Sequence, residues 1–450
     1  MNAATANQPG EKPSLFSIRH NWLHLTRRPG FQEPVLDGVR AIAIIWVLAV
    51  HLVFFHLGIF PEQAAAVFAN PLTGWIMRGD LALDLFFVIS GFLMGSMLFE
   101  EFRKSGNLVF SRFYVRRFLR LIPVYLAAML LGLYFCHDLP GMDKWGNAET
   151  IWANLLYVNN FIPIEKQYMG WCWSLAVEEQ FYILLPASIL VFMGLGRGRL
   201  GILIGLLLMS GIVRYTIIHV YAVVPPPLEQ AYTPQWSHWF NTEYDKLYTR
   251  FGGLLAGVTA AYLTCYRLPQ LKRFFDRVGW VTVLSLVCMA VIVHIVMTPM
   301  GAPLFDRIPQ LARESWWALH HDALSIATAF LILAAIHTPS LFGGTLRGFL
   351  SWRGFYPLAQ LSYSCYLVHE MVIIWLYPKL APMLYSLLGP GWTMAVDAAA
   401  ALLITFAITA VLYVTIERPS MRLRSHPVVT SVIEFFSRSR RSRPKLAAEA

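Results

Sequence analysis

The fold of this chain is decided by apolar stretches such as residues 38–57, which read GVRAIAIIWVLAVHLVFFHL. A helix needs about 20 mainly apolar residues to cross the hydrocarbon core of a bilayer. This stretch therefore predicts a membrane-spanning helix, and nine other stretches along the chain have the same character. The ten predicted spans are residues 38–57, 80–99, 121–136, 174–193, 200–222, 248–265, 280–297, 321–337, 357–376 and 394–416.

The composition of the 450-residue chain agrees with a membrane protein. Hydrophobic residues make up 57% of it and charged residues 14%, whereas soluble domains average about 45–50% and about 25%. A disordered chain has the opposite composition, and a soluble multi-domain enzyme does not fit either. We predict an all-α polytopic membrane helix bundle of about ten transmembrane helices.

The distribution of lysine and arginine predicts how the bundle is threaded. If the N-terminus is cytoplasmic, 26 of the 36 Lys and Arg residues lie in cytoplasmic segments, 8 lie in the opposite loops when Arg250 at the start of the sixth span is counted with its loop, and 2 fall within spans. This bias follows the positive-inside rule and predicts cytoplasmic termini in a multi-pass protein of the cell (inner) membrane. We divide the chain into a cytoplasmic segment (1–32), a membrane domain (33–418) and a basic cytoplasmic tail (419–450). The net charge of +10 then indicates contact with anionic lipid and no nucleic-acid partner.

The first span carries Arg40 and, eleven residues later, His51. Eleven helical steps return to within about 20° of the starting direction and rise about 16 Å. The two side chains are therefore predicted to share one face, with Arg40 near the cytoplasmic rim and His51 deeper. Arg40 could hold an anion there, and the imidazole suits general-base chemistry. The alternative is a buried histidine satisfied by a neighbouring group.

Two further motifs lie near the same membrane face. Ser90 and Gly91 form a small-residue patch in the second span, which either packs helices closely or admits a cofactor chain. Arg117 and Arg120 are three residues apart, so they share a helix face and could grip phosphate groups. The alternative for these arginines is ordinary positive-inside charge.

Carboxylates and a histidine also occur inside predicted spans, where charge is costly and usually functional. Glu178 and Glu179 open the fourth span, and the ninth span holds His369 beside Glu370. The His369–Glu370 pair is either a second site or a structural clasp. The aromatic segment 234–241 either forms platforms for a sugar or anchors the protein at the interface.

Five stretches together resemble the acyltransferase-3 family of integral membrane O-acyltransferases, and the resemblance covers roughly residues 33–418. They are the Arg40–His51 pair, residues 86–92 (FFVISGF), Arg117 with Arg120, residues 173–182 (WSLAVEEQFY) and residues 362–369 (SYSCYLVH). Such proteins move an acyl group, most often acetyl, from cytoplasmic acyl-CoA to a hydroxyl of an exported or surface acceptor. The acceptor is a glycan, a glycolipid or a macrolide. The chain ends about 30 residues after its last predicted span, so it resembles the stand-alone form without an SGNH domain.

The resemblance implies roles for the residues of these stretches. Acyl-CoA would be held through its phosphates by three arginines and through its pantetheine arm by the small-residue patch; these residues are Arg40, Arg117, Arg120, Ser90 and Gly91. His51 would deprotonate the acceptor hydroxyl or carry the acyl group, and Glu178 would orient His51 or the acceptor. The acceptor would contact Trp173, Glu179 and His369. No ligand spacing of the H-E-x-x-H kind occurs in the chain, so we expect no metal.

Two other classes of function remain open from the sequence. A proton-coupled multi-pass transporter of a small polar solute would also place Arg, His and Glu inside spans. Against it, the motifs cluster in the first four spans, whereas many transporters are built from repeats. A non-catalytic membrane scaffold is the third possibility. The spacing of Cys136 and Cys172 leaves open whether they form a disulfide.

Overall fold

A computed structural model describes most of the chain, and its regular secondary structure in the described residues is helical. The described residues are 14–30, 33–136, 148–196, 198–227, 230–231, 233–300, 305, 307–338 and 341–441. In these ranges ten helices have 20 residues or more, and no strand occurs. They are α1 (Pro34–Ile59), α2 (Ala82–Ser105), α3 (Phe110–Cys136), α4 (Trp173–Gly194), α5 (Arg199–Tyr221), α6 (Leu247–Tyr266), α7 (Val278–Met297), α8 (Gln310–His337), α9 (Phe355–Leu388) and α10 (Pro390–Leu412).

Each of the ten predicted spans overlaps one of these helices. All except α6 belong to helical segments that are long and apolar enough to cross a membrane. Helix α6 has 20 residues, but Arg250 and three glycines reduce its hydropathy. The prediction of an all-α, multi-pass membrane bundle is confirmed.

Helices α2 and α6 pack in direct backbone contact. A methyl group added to Gly91 in α2 would overlap the carbonyl oxygen of Leu254, and one added to Gly257 in α6 would overlap that of Val88. Small residues permit this approach, which increases van der Waals contact where no hydrophobic driving force acts between helices. The backbone of α6 therefore covers Gly91, which corrects the expectation that this residue shapes a channel for the cofactor.

Helix α9 runs along α1, α3 and α10, and α1 in turn lies against α2. The buried face of α9 includes His369 and Glu370, and the face of α1 turned towards it carries His51, which contacts both. The packing of α1 against α9 thus places the histidine of the first span beside the His–Glu pair of the ninth.

Two connecting segments fold against each other at one end of the bundle. The backbone N–H of Ile164 donates to Asn241 Oδ1 at 2.9 Å, and Asn160 Nδ2 donates to the carbonyl oxygen of Asp245 at 3.1 Å. Burial raises the pKa of Asp245 to about 7, although the ammonium group of Lys246 opposes this shift. These segments are therefore packed parts of the protein rather than solvated loops.

The opposite part of the bundle holds both ends of the described chain. A short helix, Ile18–Thr26, is tied to the region after α10 because Asn21 Nδ2 donates to the carbonyl oxygen of Val414 at 3.0 Å. In the predicted tail, residues Pro427–Arg441 form a further helix. Ser111 Oγ of α3 donates to the carbonyl oxygen of Ile433 in this helix at 3.4 Å.

Candidate active site

A cavity of about 100 Å³ opens between α1, α2, α3, α4 and α9. We name it the arginine cavity, because Arg40, Arg117 and Arg120 all line it. Ser90 and Glu178 line it as well. The structure thus brings together four of the five residues predicted to bind the cofactor, whereas Gly91 lies in the α2–α6 contact.

The three arginines differ in their partners. Arg117 forms an ion pair with Glu179 at 2.7 Å and lies 3.8 Å from Glu178, with its guanidinium 3.3 Å from the centre of the Tyr182 ring. Among the described residues, neither Arg40 nor Arg120 forms an ion pair with a carboxylate. The carboxylates of Glu178 and Glu417 act on these groups only through space. A half-buried cation gains from a direct counter-ion, so the two guanidinium groups suit an anionic ligand.

A second cavity, of about 140 Å³, lies towards the connecting segments. We name it the histidine cavity. The histidine and acidic residues that line it are His51, Asp80 and Glu370. Six aromatic residues line it too, five from the connecting segments and one, Trp173, from the first turn of α4: Trp171, Trp173, Trp236, Trp239, Phe240 and Tyr244. The segment 234–241 therefore contributes to this cavity, with Trp236, Trp239 and Phe240 all buried.

Hydrogen bonds fix the protonation pattern of His51. Its Nδ1 lies 2.8 Å from the carbonyl oxygen of Val47, and a carbonyl oxygen only accepts, so Nδ1 carries a proton. Its Nε2 lies 3.0 Å from Glu370 Oε1. One proton must lie between these two atoms, because neither donates when both are unprotonated. His51 and Glu370 therefore form a proton-sharing pair at the cavity wall.

His369 supports this pair from behind. Its Nδ1 donates to the carbonyl oxygen of Tyr366 at 2.8 Å, which leaves Nε2 as an acceptor. That Nε2 lies 3.2 Å from His51 Nδ1. His369 is fully buried, whereas the side chain of His51 is 27% exposed and that of Glu370 3%. Of the two imidazoles, only that of His51 is open to the cavity.

The two cavities meet at Leu83 and Tyr366, which line both. The hydroxyl of Tyr366 donates to the carbonyl oxygen of Trp171 and lies 2.6 Å from Ser174 Oγ. These bonds hold the Tyr366 ring in place at the junction. Arg40 and His51, which share one face of α1, therefore lie on two cavities that adjoin end to end.

The partner of His51 is Glu370 rather than Glu178. The Glu178 carboxylate lines the arginine cavity beside Arg117 and does not contact His51. The alternative role, orienting the acceptor, stays a prediction. Glu370 was visible in the sequence as part of the His369–Glu370 pair, but the sequence did not show which helix faces that pair. The structure makes the pair part of the same site as His51.

The residues predicted to contact the acceptor do not all lie together. Trp173 lines the histidine cavity, and His369 lies directly behind it. Glu179 instead pairs with Arg117 on α3. Cys172 is a buried free thiol, and the side chain of Cys136 lies outside the described residues.

Two groups of side chains have the atom types of metal ligands. One is His51, His369 and Glu370, and the other is Asp80, His320 and His321. In the first, every histidine nitrogen already has a hydrogen-bonding partner. In the second, guanidinium groups contact the ligand atoms: Arg78 pairs with Asp80, and Arg250 Nη1 lies 2.8–2.9 Å from both ring nitrogens of His321. The absence of a metal stays a prediction.

Comparison with known families defines the class of protein. The chain matches the model of the acyltransferase domain family (acyltransferase 3) over residues 33–414. This match covers most of the chain, so the protein belongs to that family, and the predicted resemblance is confirmed. It is a multi-pass membrane protein that contains an acyltransferase domain of this family.

Three curated proteins are similar to parts of this chain. The chain is 29% identical over 369 residues to the putative peptidoglycan O-acetyltransferase YrhL of Bacillus subtilis, covering 76% of this chain and 48% of that protein. It is 34% identical over 207 residues to the peptidoglycan O-acetyltransferase OatA of Listeria monocytogenes, covering 43% and 30%. It is 25% identical over 379 residues to the nose resistant to fluoxetine protein 6 of Caenorhabditis elegans, covering 75% and 44%.

The chain thus spans about half or less of the length of these relatives. No solved structure matches it significantly.

Proposed function

We propose that this protein transfers an acyl group, most often acetyl, from acyl-CoA to a hydroxyl group of an exported or surface glycan or glycolipid. The observation that carries the proposal is the end-to-end arrangement of the two cavities. One has two guanidinium groups, those of Arg40 and Arg120, with no direct carboxylate partner in the described part of the chain, and the other has a His–Glu pair. A thioester donor and a hydroxyl acceptor need these two environments next to each other.

The arginine cavity is the proposed donor site. The phosphate groups of CoA would neutralise Arg40 and Arg120, which lack a carboxylate partner among the described residues. Guanidinium groups bind phosphate oxygens through paired, charge-assisted hydrogen bonds. Arg117 is already neutralised by Glu179, and its contribution would be one of shape and hydrogen bonding. This cavity would face the cytoplasm, in agreement with the charge distribution of the sequence.

The junction at Leu83 and Tyr366 is the proposed place where the thioester carbonyl meets the acceptor. The hydroxyl proton of the acceptor moves to the His51–Glu370 pair as the oxygen attacks the carbonyl carbon. The carbon–sulfur bond breaks, and CoA leaves as a thiolate that is then protonated. A two-step route through acyl-His51 has the same overall balance. His369 acts through His51, since it holds the ring by its Nδ1 side.

Several features support a carbohydrate acceptor at the membrane. The histidine cavity combines aromatic walls with carboxylates, and relatives are named peptidoglycan O-acetyltransferases. A macrolide offers similar ring and hydroxyl chemistry and is the second acceptor class to examine. We place the protein in the cell (inner) membrane, with the acceptor arriving from the non-cytoplasmic side.

The decisive experiment uses the purified full chain in lipid nanodiscs with radiolabelled acetyl-CoA and a panel of glycan acceptors. We expect labelled acceptor from the wild type and none from His51→Gln. The matched control is His56→Gln, because His56 lies in the same helix but pairs with Asp397 outside both cavities. Solute uptake into proteoliposomes without any acyl transfer would instead support a transporter and refute the proposal.

A further inference from the structure

The histidine cavity contains a carboxylate that the reaction scheme above does not use. Asp80 lies in the turn before α2 and lines the cavity together with His51 and Glu370. Its side chain is 9% exposed, so it is largely enclosed by protein and still reaches the cavity. No sequence motif drew attention to it, because it stands outside the five stretches of the family resemblance.

A buried arginine holds this carboxylate in one orientation. Arg78 Nε lies 3.0 Å from Asp80 Oδ1, and Arg78 Nη2 lies 3.3 Å from Oδ2. The remaining Arg78 nitrogen donates to the carbonyl oxygens of Ile295, at 3.0 Å, and of Thr298. The fork between Arg78 and Asp80 is therefore anchored to the end of α7 at two points. Such bidentate pairs fix geometry as well as charge.

The same geometry leaves part of Asp80 available to a ligand. A carboxylate offers about four acceptor positions, and the fork with Arg78 uses two of them. The fork holds the carboxylate in place, and its remaining lone pairs suit hydrogen-bond donors such as hydroxyl groups. A free cation is disfavoured here, since Arg78 already occupies the carboxylate.

Rigid aromatic rings line the cavity that Asp80 faces. Trp173 and Trp239 each lie with ring centres 4.8 Å from that of Tyr244. The guanidinium of Arg250 lies 5.5 Å from the centre of the Trp173 ring and 5.1 Å from that of Tyr244, which fixes these rings from behind. Aromatic faces are electron-rich and attract the C–H groups of a saturated ring.

We propose that Asp80 and the aromatic wall of Trp173, Trp239 and Tyr244 form an acceptor subsite that binds one sugar ring. Asp80 accepts hydrogen bonds from hydroxyl groups of that ring and so decides which hydroxyl faces His51. This inference rests on the proposed function and assigns its acceptor specificity to a named carboxylate. Asp80 binds the acceptor and takes no part in proton transfer.

The test measures acceptor binding and acyl transfer separately. Binding of methyl pyranosides and of the peptidoglycan disaccharide is followed by tryptophan fluorescence in nanodiscs, without any donor. Transfer from radiolabelled acetyl-CoA then gives KM and kcat for the sugar that binds most tightly. The variants are Asp80→Asn and Asp80→Glu. The control is Glu314→Gln, a buried carboxylate of α8 that contacts His219 and Gln310 outside both cavities.

We expect Asp80→Asn to raise the acceptor Kd and KM about 10- to 100-fold, the usual range for a lost hydrogen bond to a charged group. The value of kcat should change little, and Glu314→Gln should match the wild type. Deoxy sugars that lack one hydroxyl should bind the wild type more weakly by a similar factor, and Asp80→Asn should no longer discriminate between them and the parent sugar. The deoxy series on the wild type does not depend on how well any variant folds.

Unchanged acceptor KM in a folded Asp80→Asn protein would overturn the subsite, and so would equal binding of all deoxy sugars by the wild type. If the wild type binds sugars through Asp80 but transfers no acetyl group, the subsite stands and the proposed function fails. If transfer occurs and no sugar discrimination depends on Asp80, the proposed function stands and the subsite fails.

Discussion

Replacing Glu370 by glutamine removes the charge from the pair that we propose as the base. Glu370 Oε1 lies 3.0 Å from His51 Nε2 and is 3% exposed. At this distance, with an effective dielectric constant of about 20, a carboxylate and an imidazolium attract each other by roughly 5 kcal/mol before desolvation is counted. Each ~1.4 kcal/mol of lost transition-state stabilisation slows a reaction about tenfold.

We therefore expect Glu370→Gln to lower kcat by about 10²- to 10⁴-fold, the usual range for loss of general acid–base catalysis. The donor Kd should stay within about twofold, because the arginine cavity is untouched. The double variant His51→Gln/Glu370→Gln should lose little more than either single variant, since two residues that act as a unit are not additive.

The assay is acetyl transfer at saturating acetyl-CoA and acceptor, with thermal unfolding of each variant as a check on folding. The control His56→Gln should keep wild-type activity. A Glu370→Gln protein that folds and retains more than about a tenth of wild-type kcat would refute the proposal that this carboxylate shares the catalytic proton. A double variant whose loss equals the product of the single losses would refute the idea of a single unit.

Three other predictions follow from the remaining features. Arg40→Gln should raise the KM for acetyl-CoA about 10- to 100-fold by removing a charge-assisted contact with phosphate. The control Arg116→Gln, at an exposed position of α3 next to Arg117, should leave this KM unchanged. Equal effects of the two variants would contradict the proposed donor site. Gly91→Val should sharply lower the yield of folded protein, because the valine side chain would overlap the backbone of α6. The control Gly58→Val should fold, since the space around Gly58 is open. Size-exclusion chromatography of both variants measures the yield of folded protein. Burial beside Arg418 lowers the pKa of His24 to about 4 from the ordinary 6.5. Since the folded state then binds fewer protons than the unfolded state between these values, docking of Ile18–Thr26 should be complete above pH 6.5 and weaken as the pH falls towards 4. Hydrogen exchange of the backbone amides in this helix at pH 7.5 and 5, corrected for intrinsic rates, measures how firmly the helix is docked. Equal protection at the two pH values would contradict the assignment of this pH dependence to His24.

The sequence predicted those features that depend on local periodicity. Ten apolar stretches coincide with ten helices, because the length of a span is set by the bilayer and not by its neighbours. The common face of Arg40 and His51 also follows from helix geometry alone. The common face of Arg117 and Arg120 on α3 could be predicted for the same reason, since residues three apart share a face wherever the helix lies.

Other features could not be predicted, because they depend on which helices touch. Glu370 sits in α9, more than 300 residues after His51 in the chain, and only the packing of α9 against α1 makes them partners. Gly91 has no side chain to indicate whether its bare backbone meets a ligand or another helix, and its meeting with α6 required the positions of both helices. Asp80 gains its position in the cavity from Arg78 and the end of α7, which are far away in sequence.

The junction at Leu83 and Tyr366 has a consequence for the membrane as a whole. The two described residues that line both cavities, a leucine and a hydrogen-bonded tyrosine, carry no charge, so a hydrated ion would have to shed its water to pass between them. In the proposed reaction, only the reacting carbonyl of the donor needs to reach this partition, while its phosphates and the acceptor stay on their own sides. The proposed reaction would then pass an acyl group across the bilayer without an open pore, and the electrical potential of the cell would be kept during turnover.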